Sequence, residues 1–236
     1  MSAIDFVKRY WRRKVDPIDL LMKVKSPNVE MQTLIHVGAH LGQERYQYEA
    51  CGFRDILWIE GSPSVHHRLA AAINDHTNES GISQTGTRHR TYCALCADRD
   101  GDELSFHEFC NDGESSSIFS STLNCQKRWP HVRETGKTEV LRSHTLDHIA
   151  EHHQLLDATD VLVVDVQGAE LLVLQGAERL LVNVKAVVSE VSTVAYYEGG
   201  VLYPELREFL RIRGFQPMSA PRRHGDILFL KNELAE

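Results

Sequence analysis

The sequence predicts an α/β domain built on a mostly parallel sheet, and three observations carry that prediction. Short apolar, β-rich runs alternate with helical segments along most of the chain. The stretch "LIHVGAHLGQE" (34–44) passes from a strand through a glycine turn into a helix. The run "DVLVVDVQG" (160–168) is almost continuously apolar up to Asp165, as a strand covered on both faces must be. Strand–helix alternation places parallel strands in one sheet with helices on both faces, joined by right-handed crossovers.

The elements follow in order. "TLIHVGA" (33–39) reads as the first strand and "GQERYQYEACG" (42–52) as a helix ending at Gly52. "DILWIEG" (55–61) is a second strand; "SPSVHHRLAAAINDH" (62–76) is a helix with Ser62 as N-cap and Pro63 in its first turn. "HRTYCALCA" (89–97) reads as a third strand. Strand-like alternation around an Asn-Asp-Gly turn makes 102–121 a hairpin-like insertion. A short strand and helix fill 138–154, the buried strand runs from 160, a helix covers 169–181 and a strand covers 184–192. The helix over 203–215 stops at Gly214, and "GFQPMSA" with "GDILFLK" forms a closing antiparallel pair. The expected organisation is an N-terminal helical segment, 1–32, and one domain, 33–236, carrying the insertion.

The 26 basic and 33 acidic residues give a formal charge of −7, which argues against a nucleic-acid backbone as partner. No run approaches the roughly 18 apolar residues of a membrane span. The start has no secretory signal, and "FVKRYWRRK" reads as a basic helix packed through Phe6, Tyr10 and Trp11. Five irregularly spaced cysteines fit reduced thiols and a cytoplasmic location. Oligomeric state is left open.

In open sheets of this kind ligands sit beyond the carboxyl ends of the strands. Glu60, Asp98, Asp165 and Glu190 all fall at such ends, a costly clustering on an apolar sheet unless a ligand uses it. Glu60 closes the second strand about twenty residues after the glycine turn, placed to accept hydrogen bonds from a ribose diol. That placement serves NAD and S-adenosyl-L-methionine (SAM) alike. The turn separates them: Gly38 and Gly42 frame Gly-Ala-His-Leu-Gly, without the Gly-x-Gly that a pyrophosphate requires. SAM needs only a looser turn, and its sulfonium favours acidic neighbours.

"HVGAHLGQE", "WIEGSP", "LDHI", "VVDVQGAELLVLQGAERLL" and "GDILFL" together resemble the FkbM family of SAM-dependent methyltransferases. "DVQGAELLVLQGA" (165–177) is the most specific piece, and the resemblance spans roughly 33–231. It implies a Rossmann-like class I methyltransferase fold, a seven-stranded mostly parallel sheet with an antiparallel last strand and helices on both faces. The implied reaction is O-methylation of a hydroxyl on a sugar, polyketide or similar small metabolite, with SAM as cofactor and no metal.

By the same resemblance Gly38, Ala39 and Gly42 form the methionine-side turn, Glu60 holds the ribose with Gly61 and Ser62 beside it, and Asp98 approaches the adenine. Asp165 lines the reacting centre. The family's first motif commonly reads Asp-Val-Gly-Ala-Asn; here His36 and His40 stand at its first and last positions. An imidazole at His40 can donate and accept much as an amide does. His36 removes an expected carboxylate, leaving Gln43 or Glu44 to take its place.

Methyl transfer aligns donor and acceptor and removes a proton from the hydroxyl. Asp165 is the first candidate, as base or orienter, and Glu170 is either a second site carboxylate or a partner of its helix dipole. The insertion offers Asn111, Ser115, Ser116 and Ser117 to cofactor or substrate, and Tyr196 and Tyr197 could wall the acceptor pocket. His144, His148 and His152 read as a solvated helix face, not a metal site, and Cys93-x-x-Cys96 lacks a second pair for zinc. The alternatives are a SAM-binding fold without catalysis and, less favoured, an NAD-dependent oxidoreductase.

Overall fold

The computed structural model describes residues 16–24 and 29–234. Phe6, Tyr10 and Trp11, and with them the basic segment 6–14, lie outside the described residues. Helix α1 (Pro17–Val24) is capped by Asp16, whose Oδ1 accepts from the backbone N–H groups of Ile18 and Asp19.

The chain then runs β1 (Thr33–Val37), α2 (Arg45–Ala50), β2 (Asp55–Glu60), α3 (Pro63–His76), β3 (Arg88–Cys93), β4 (Leu95–Cys96) and β5 (Glu103–Phe109). It continues with α4 (Leu123–Arg128), β6 (Glu134–His144), α5 (Leu146–His152), β7 (Val161–Val164), α6 (Glu170–Gln175) and α7 (Leu180–Asn183). The last elements are β8 (Ala186–Ser192), α8 (Tyr203–Arg211), β9 (Phe215–Pro217) and β10 (His224–Lys231).

Seven strands form one sheet in the order β3-β2-β1-β7-β8-β10-β9. All neighbours are parallel except β10, which runs antiparallel to both β8 and β9. This is the expected mostly parallel sheet with an antiparallel last strand. The period-two alternation divides each strand between two cores. Ile35, Val37, Leu57, Ile59, Leu162 and Val164 face α5, α6 and α8; Leu34, Ile56, Trp58, Val161 and Val163 face α1, α2 and α3. Because both faces are covered, the central strands β1, β2, β7 and β8 read as nearly continuous apolar runs. Strand order reverses between β1 and β7, and the site lies at that switch point.

Four expectations need correction. The strand over 89–97 is two strands: β3 pairs with β2, but at Ala94 the chain leaves the sheet, and β4 pairs instead with β6. The insertion closes on itself within 102–121 through a single antiparallel bridge, His107 to Ser117, and β5 otherwise pairs antiparallel with β6, so a second sheet of order β4-β6-β5 extends to residue 144. The helix over 169–181 breaks into α6 and α7 at Gly176, where a Cβ would sit 2.1 Å from the Ala97 carbonyl oxygen, so a closely packed backbone interrupts it. The helix over 42–52 also shortens to α2, because His40 and Gly42 both take left-handed backbone angles.

Candidate cofactor and acceptor site

The glycine turn is set by close contact between strand ends. Gly38 has φ +82°, and a Cβ there would lie 1.7 Å from the Asp165 carbonyl oxygen. Only glycine permits that approach. The N–H groups of Gly38 and Ala39 both donate to the Ile59 carbonyl, at 2.9 and 3.0 Å. Gly42 faces the other way, packed against Leu69 and Ile73 of α3.

His40 occupies a left-handed position with φ +45°, and its backbone N–H donates to Glu60 Oε2 at 2.9 Å. Its ring is fixed from both sides. Gln43 Oε1 accepts from Leu41 N–H, so the amide turns its Nε2 toward His40 Nδ1 at 2.8 Å. His40 Nε2 is then the donor to the Asp112 carbonyl at 3.2 Å. His36 is buried among Tyr48 and Trp58, and its Nδ1 lies 3.1 Å from the Tyr48 hydroxyl. Burial lowers the His36 pKa, keeping the ring neutral.

Glu60, at the end of β2, is buried, with Oε2 bonded to His40 N–H and Oε1 to Ser62 N–H at 2.8 Å. Burial pushes its carboxyl up, while the hydrogen bonds from Ser62 and His40 oppose the shift. Each oxygen keeps a lone pair for a further donor. Ser62 itself turns away to cap α3 through Val65 N–H.

Across the switch point an acidic face is assembled from three elements. Asp165 follows β7, Glu190 belongs to β8 and Glu170 begins α6; oxygens of all three lie within 4.8 Å of one another. Burial, then Glu190, Asp226 and Glu170, raise the Asp165 carboxyl well above its usual range. Burial and the same acidic surroundings raise Glu190 likewise. Glu170 is spent on its own loop: Oε1 accepts from Val166 and Gly168 N–H at 3.2 and 3.0 Å. His224 of β10 places Nε2 3.0 Å from Glu190 Oε1, and its Nδ1 meets Ser192 Oγ at 2.8 Å.

These residues border two connected spaces. A cavity of about 490 Å³ is lined by His36, Gly38, Ala39, His40, Gln43 and Glu44 on one side, and by Asp165, Gln167, Glu190, Tyr197 and His224 on the other. Asn111, Glu114 and Ser115 of the insertion, with Trp129 and His131 just beyond α4, close it. A much smaller space of about 50 Å³ lies beside Glu60 and Gly61, walled by Leu95, Cys96, Phe106, Ser116, Ser117 and Ile118. Residues 110–117 form a strap over the junction. Asp112 holds the strap to α3 through a two-oxygen ion pair with Arg68, and Ser117 Oγ donates to the Gln167 carbonyl at 2.8 Å.

Most of the predicted residues therefore meet at one place, with exceptions. Asp98 does not line either space; it lies beyond β4, where the chain has left the main sheet, and pairs with Arg99. Gly42, Ser62 and Glu170 support the walls without lining either space. Tyr197 faces the large cavity, whereas Tyr196 packs against Trp129 and His224. Gln167, His224, Trp129 and His131 were not anticipated; the Gln in "DVQG" was the one signal available.

Among the described residues, His144, His148 and His152 do not meet as one ligand set. His144 belongs to β6 and His148 to α5, both near Asp100 at 4.0 and 3.7 Å, while His152 packs on Tyr92. Glu49, His76 and His89 do bring three ligand-type atoms within 4.8 Å. However, Trp58 Nε1 donates to His89 Nδ1 at 3.1 Å, so His89 Nε2 carries the ring hydrogen and donates to Glu49 at 2.9 Å. A protonated nitrogen has no lone pair for a metal. Burial works against the charge of Glu49, yet hydrogen bonds from His76, Ser83, His89 and Thr85 hold its carboxyl at about 2. The cluster fastens α2, α3 and β3 together.

The methyltransferase FkbM domain matches residues 36–217. No curated protein matches the chain by sequence. Among solved structures, a methyltransferase FkbM from Methylobacillus flagellatus shares the fold with a TM-score of 0.54 and 14% identity, over 96% of this chain and 58% of that one. This chain thus spans little more than half the length of that relative. A putative tRNA methyltransferase from Streptococcus pneumoniae, in complex with SAM, gives a TM-score of 0.49 at 13% identity, over 91% of this chain and 71% of that one. A TehB-like SAM-dependent methyltransferase from Corynebacterium glutamicum gives 0.44 at 10% identity, over 97% of each chain.

Proposed function

The chain belongs to the FkbM family of methyltransferases, and we propose that it transfers a methyl group from SAM to a hydroxyl of a sugar, polyketide or similar small metabolite. The observation that carries this reading is Glu60, a carboxylate fixed by two backbone N–H groups beside the Gly38 turn, with lone pairs left for a ribose diol. Residues 33–236 would be the catalytic unit, with 1–32 a preceding segment.

The residues present fit the cofactor. The small space beside Glu60 has the apolar walls that suit an adenine, in Leu95, Cys96, Phe106 and Ile118, and its volume of about 50 Å³ must widen to admit the ring. Asp165 and Glu190 offer negative charge to the positive sulfonium. Replacement of the motif carboxylate by His36 leaves the amino group to another acid. Gln43 is committed to His40 and Leu41, whereas Glu44 lines the cavity and its Oε2 is buried without a hydrogen-bond partner among the described residues. Glu44 is therefore the substitute we assign.

When bound, SAM supplies an electrophilic methyl group for in-line displacement by the acceptor oxygen. The chain's part is alignment and charge placement, which supply much of the rate in such transfers. Asp165 faces the reacting centre as an orienter, and Glu170 holds the 166–168 turn that presents it. An acceptor would enter the large cavity against Trp129 and Tyr197, with Asn111 and Ser115 as polar contacts. Glu44, Glu114, Asp165 and Glu190 on its walls favour an uncharged acceptor over a polyanion such as nucleic acid.

Calorimetric titration with S-adenosylhomocysteine, with NAD as control, tests the cofactor. Saturable binding of the first alone supports the reading and justifies screening hydroxylated acceptors with methyl-labelled SAM. No binding by folded protein would overturn it. The second reading is a SAM-binding fold without catalysis, favoured by the burial of His36 against Tyr48, and it predicts binding with no transfer to any acceptor.

A further inference from the structure

We propose that Gln167 is a positioning residue that makes the site prefer the sulfonium cofactor to its thioether product, by bridging Asp165 and Glu190 with one uncharged amide. The proposal rests on the cofactor reading above and goes beyond it, because it concerns how the site tells SAM from S-adenosylhomocysteine. The two ligands share their adenosine and amino-acid ends and differ at sulfur, which is cationic in one and neutral in the other.

Gln167 stands in the turn after β7 with φ +56°, a left-handed angle rare for a residue with a side chain. From there its Nε2 reaches Asp165 Oδ1 at 2.6 Å and Glu190 Oε2 at 3.2 Å. An amide nitrogen has two hydrogens, one for each carboxylate. Its Oε1 accepts from the Tyr197 hydroxyl at 2.7 Å, a shorter contact than that hydroxyl's other acceptor, the Ser115 carbonyl at 3.2 Å, and a flipped amide would turn Oε1 toward the two acids. Its backbone carbonyl is held in turn by Ser117 of the strap. Side chain and main chain are both fixed with the donors toward the acids.

The choice of an uncharged donor has a consequence. Two carboxylates this close, without a donor between them, tend to share a proton. A lysine or arginine would let both ionise but would cancel the negative potential that a sulfonium meets. A glutamate would add a fourth acid beside Asp165, Glu170 and Glu190. Glutamine opposes proton sharing and adds no charge; it is the group that pulls the Asp165 carboxyl down against burial and its acidic neighbours. Those neighbours are Glu170 from α6, Asp226 and His224 from β10, and Tyr197 beyond β8, with Tyr48 of α2 and Glu44 nearby. Among these six only His224 can carry positive charge, and burial lowers its pKa.

The test is calorimetric binding of SAM and of S-adenosylhomocysteine to the full chain between pH 6.5 and 8.5. Wild type should bind SAM more tightly, with an affinity that rises with pH, while the thioether shows a flat profile. Gln167→Gly suits the left-handed backbone and removes the amide. It should keep thioether affinity within about twofold and lose SAM affinity by about tenfold at pH 7, a loss recovered as pH rises. Gln167→Glu, of the same size, should shift the rise in SAM affinity to higher pH. Equal weakening of both ligands at every pH, or an unchanged ratio in both variants, would overturn the proposal and leave Gln167 a structural residue. Failure of folded wild type to bind either ligand would instead overturn the cofactor reading, and the proposal with it.

Discussion

Replacing Asp165 by asparagine should stabilise the ligand-free protein, and the size of the gain follows from the geometry. Oxygens of Asp165, Glu170 and Glu190 lie within 4.8 Å of one another. Two full charges at that distance repel by about 3 kcal/mol at an effective dielectric of about 20. Proton sharing and the Gln167 amide reduce the repulsion actually felt, leaving about 1–2 kcal/mol to be relieved. Asparagine keeps an oxygen for Gln167 and presents an N–H to Glu190, so the substitution leaves no new unpaired group. For a chain of this length each kcal/mol moves Tm by about 2–4 °C, giving an expected rise of about 2–8 °C at pH 8. The sign with pH follows from burial and the neighbouring acids, which raise the Asp165 carboxyl in the folded chain. Its contribution to stability is full below the ordinary aspartate range and is lost as pH rises through the raised folded value. The variant's advantage should therefore shrink as pH is lowered toward 5.5. Thermal melts of both proteins without ligand, across that range, are the assay. An equal or lower Tm for Asp165→Asn at pH 8, or the same gain at pH 5.5, would refute the reasoning. In the same variant SAM should lose most of the extra thermal protection it gives over S-adenosylhomocysteine, and turnover should fall more than binding.

Glu60→Ala should weaken S-adenosylhomocysteine binding by tenfold or more, since it removes the ribose acceptor and leaves His40 and Ser62 N–H unpaired at about 1–3 kcal/mol each; wild-type affinity by calorimetry would remove Glu60 from its role. Gly38→Ala should fail to yield folded protein, because a Cβ 1.7 Å from the Asp165 carbonyl cannot be relieved by a rotamer change; a cooperative melt within a few degrees of wild type would contradict this. Stoichiometric zinc should leave Tm unchanged, and a zinc-dependent rise abolished by His76→Ala would show that the Glu49 cluster binds metal after all.

The strand ends that hold the site were legible because burial on both faces writes a continuous apolar run, and the residue that breaks it is conspicuous. That is why Glu60, Asp165 and Glu190 could be picked out, and why Gly38 stood out where a turn was needed. What was not legible depends on contacts remote in sequence. The division of 89–97 at Ala94 is decided by β6, whose Ser143 and His144 pair with Leu95 and Cys96. β6 itself, "ETGKTEVLRSH", is mostly solvated and carries no burial pattern to read. Gln167 and His224 have roles only where β7, β8 and β10 converge, and the packing of His36 depends on Tyr48 of α2, which only the fold sets beside it. Asp98 lies outside the main sheet for the reason that splits the strand.

The pairing of β1 with β7 sets Leu34 opposite Val161, a separation of 127 residues. Loops of that length close slowly and late, since their entropy is lost before any contact repays it. Gly38 meets Asp165 only after this closure, and Glu190 and His224 join only when β8 and β10 have docked. A nascent or truncated chain ending before β7 would thus carry the glycine turn and Glu60 without the acidic face opposite. Cofactor affinity is in this sense a readout of completed folding, and excess cofactor should slow global unfolding, not merely local opening of the strap.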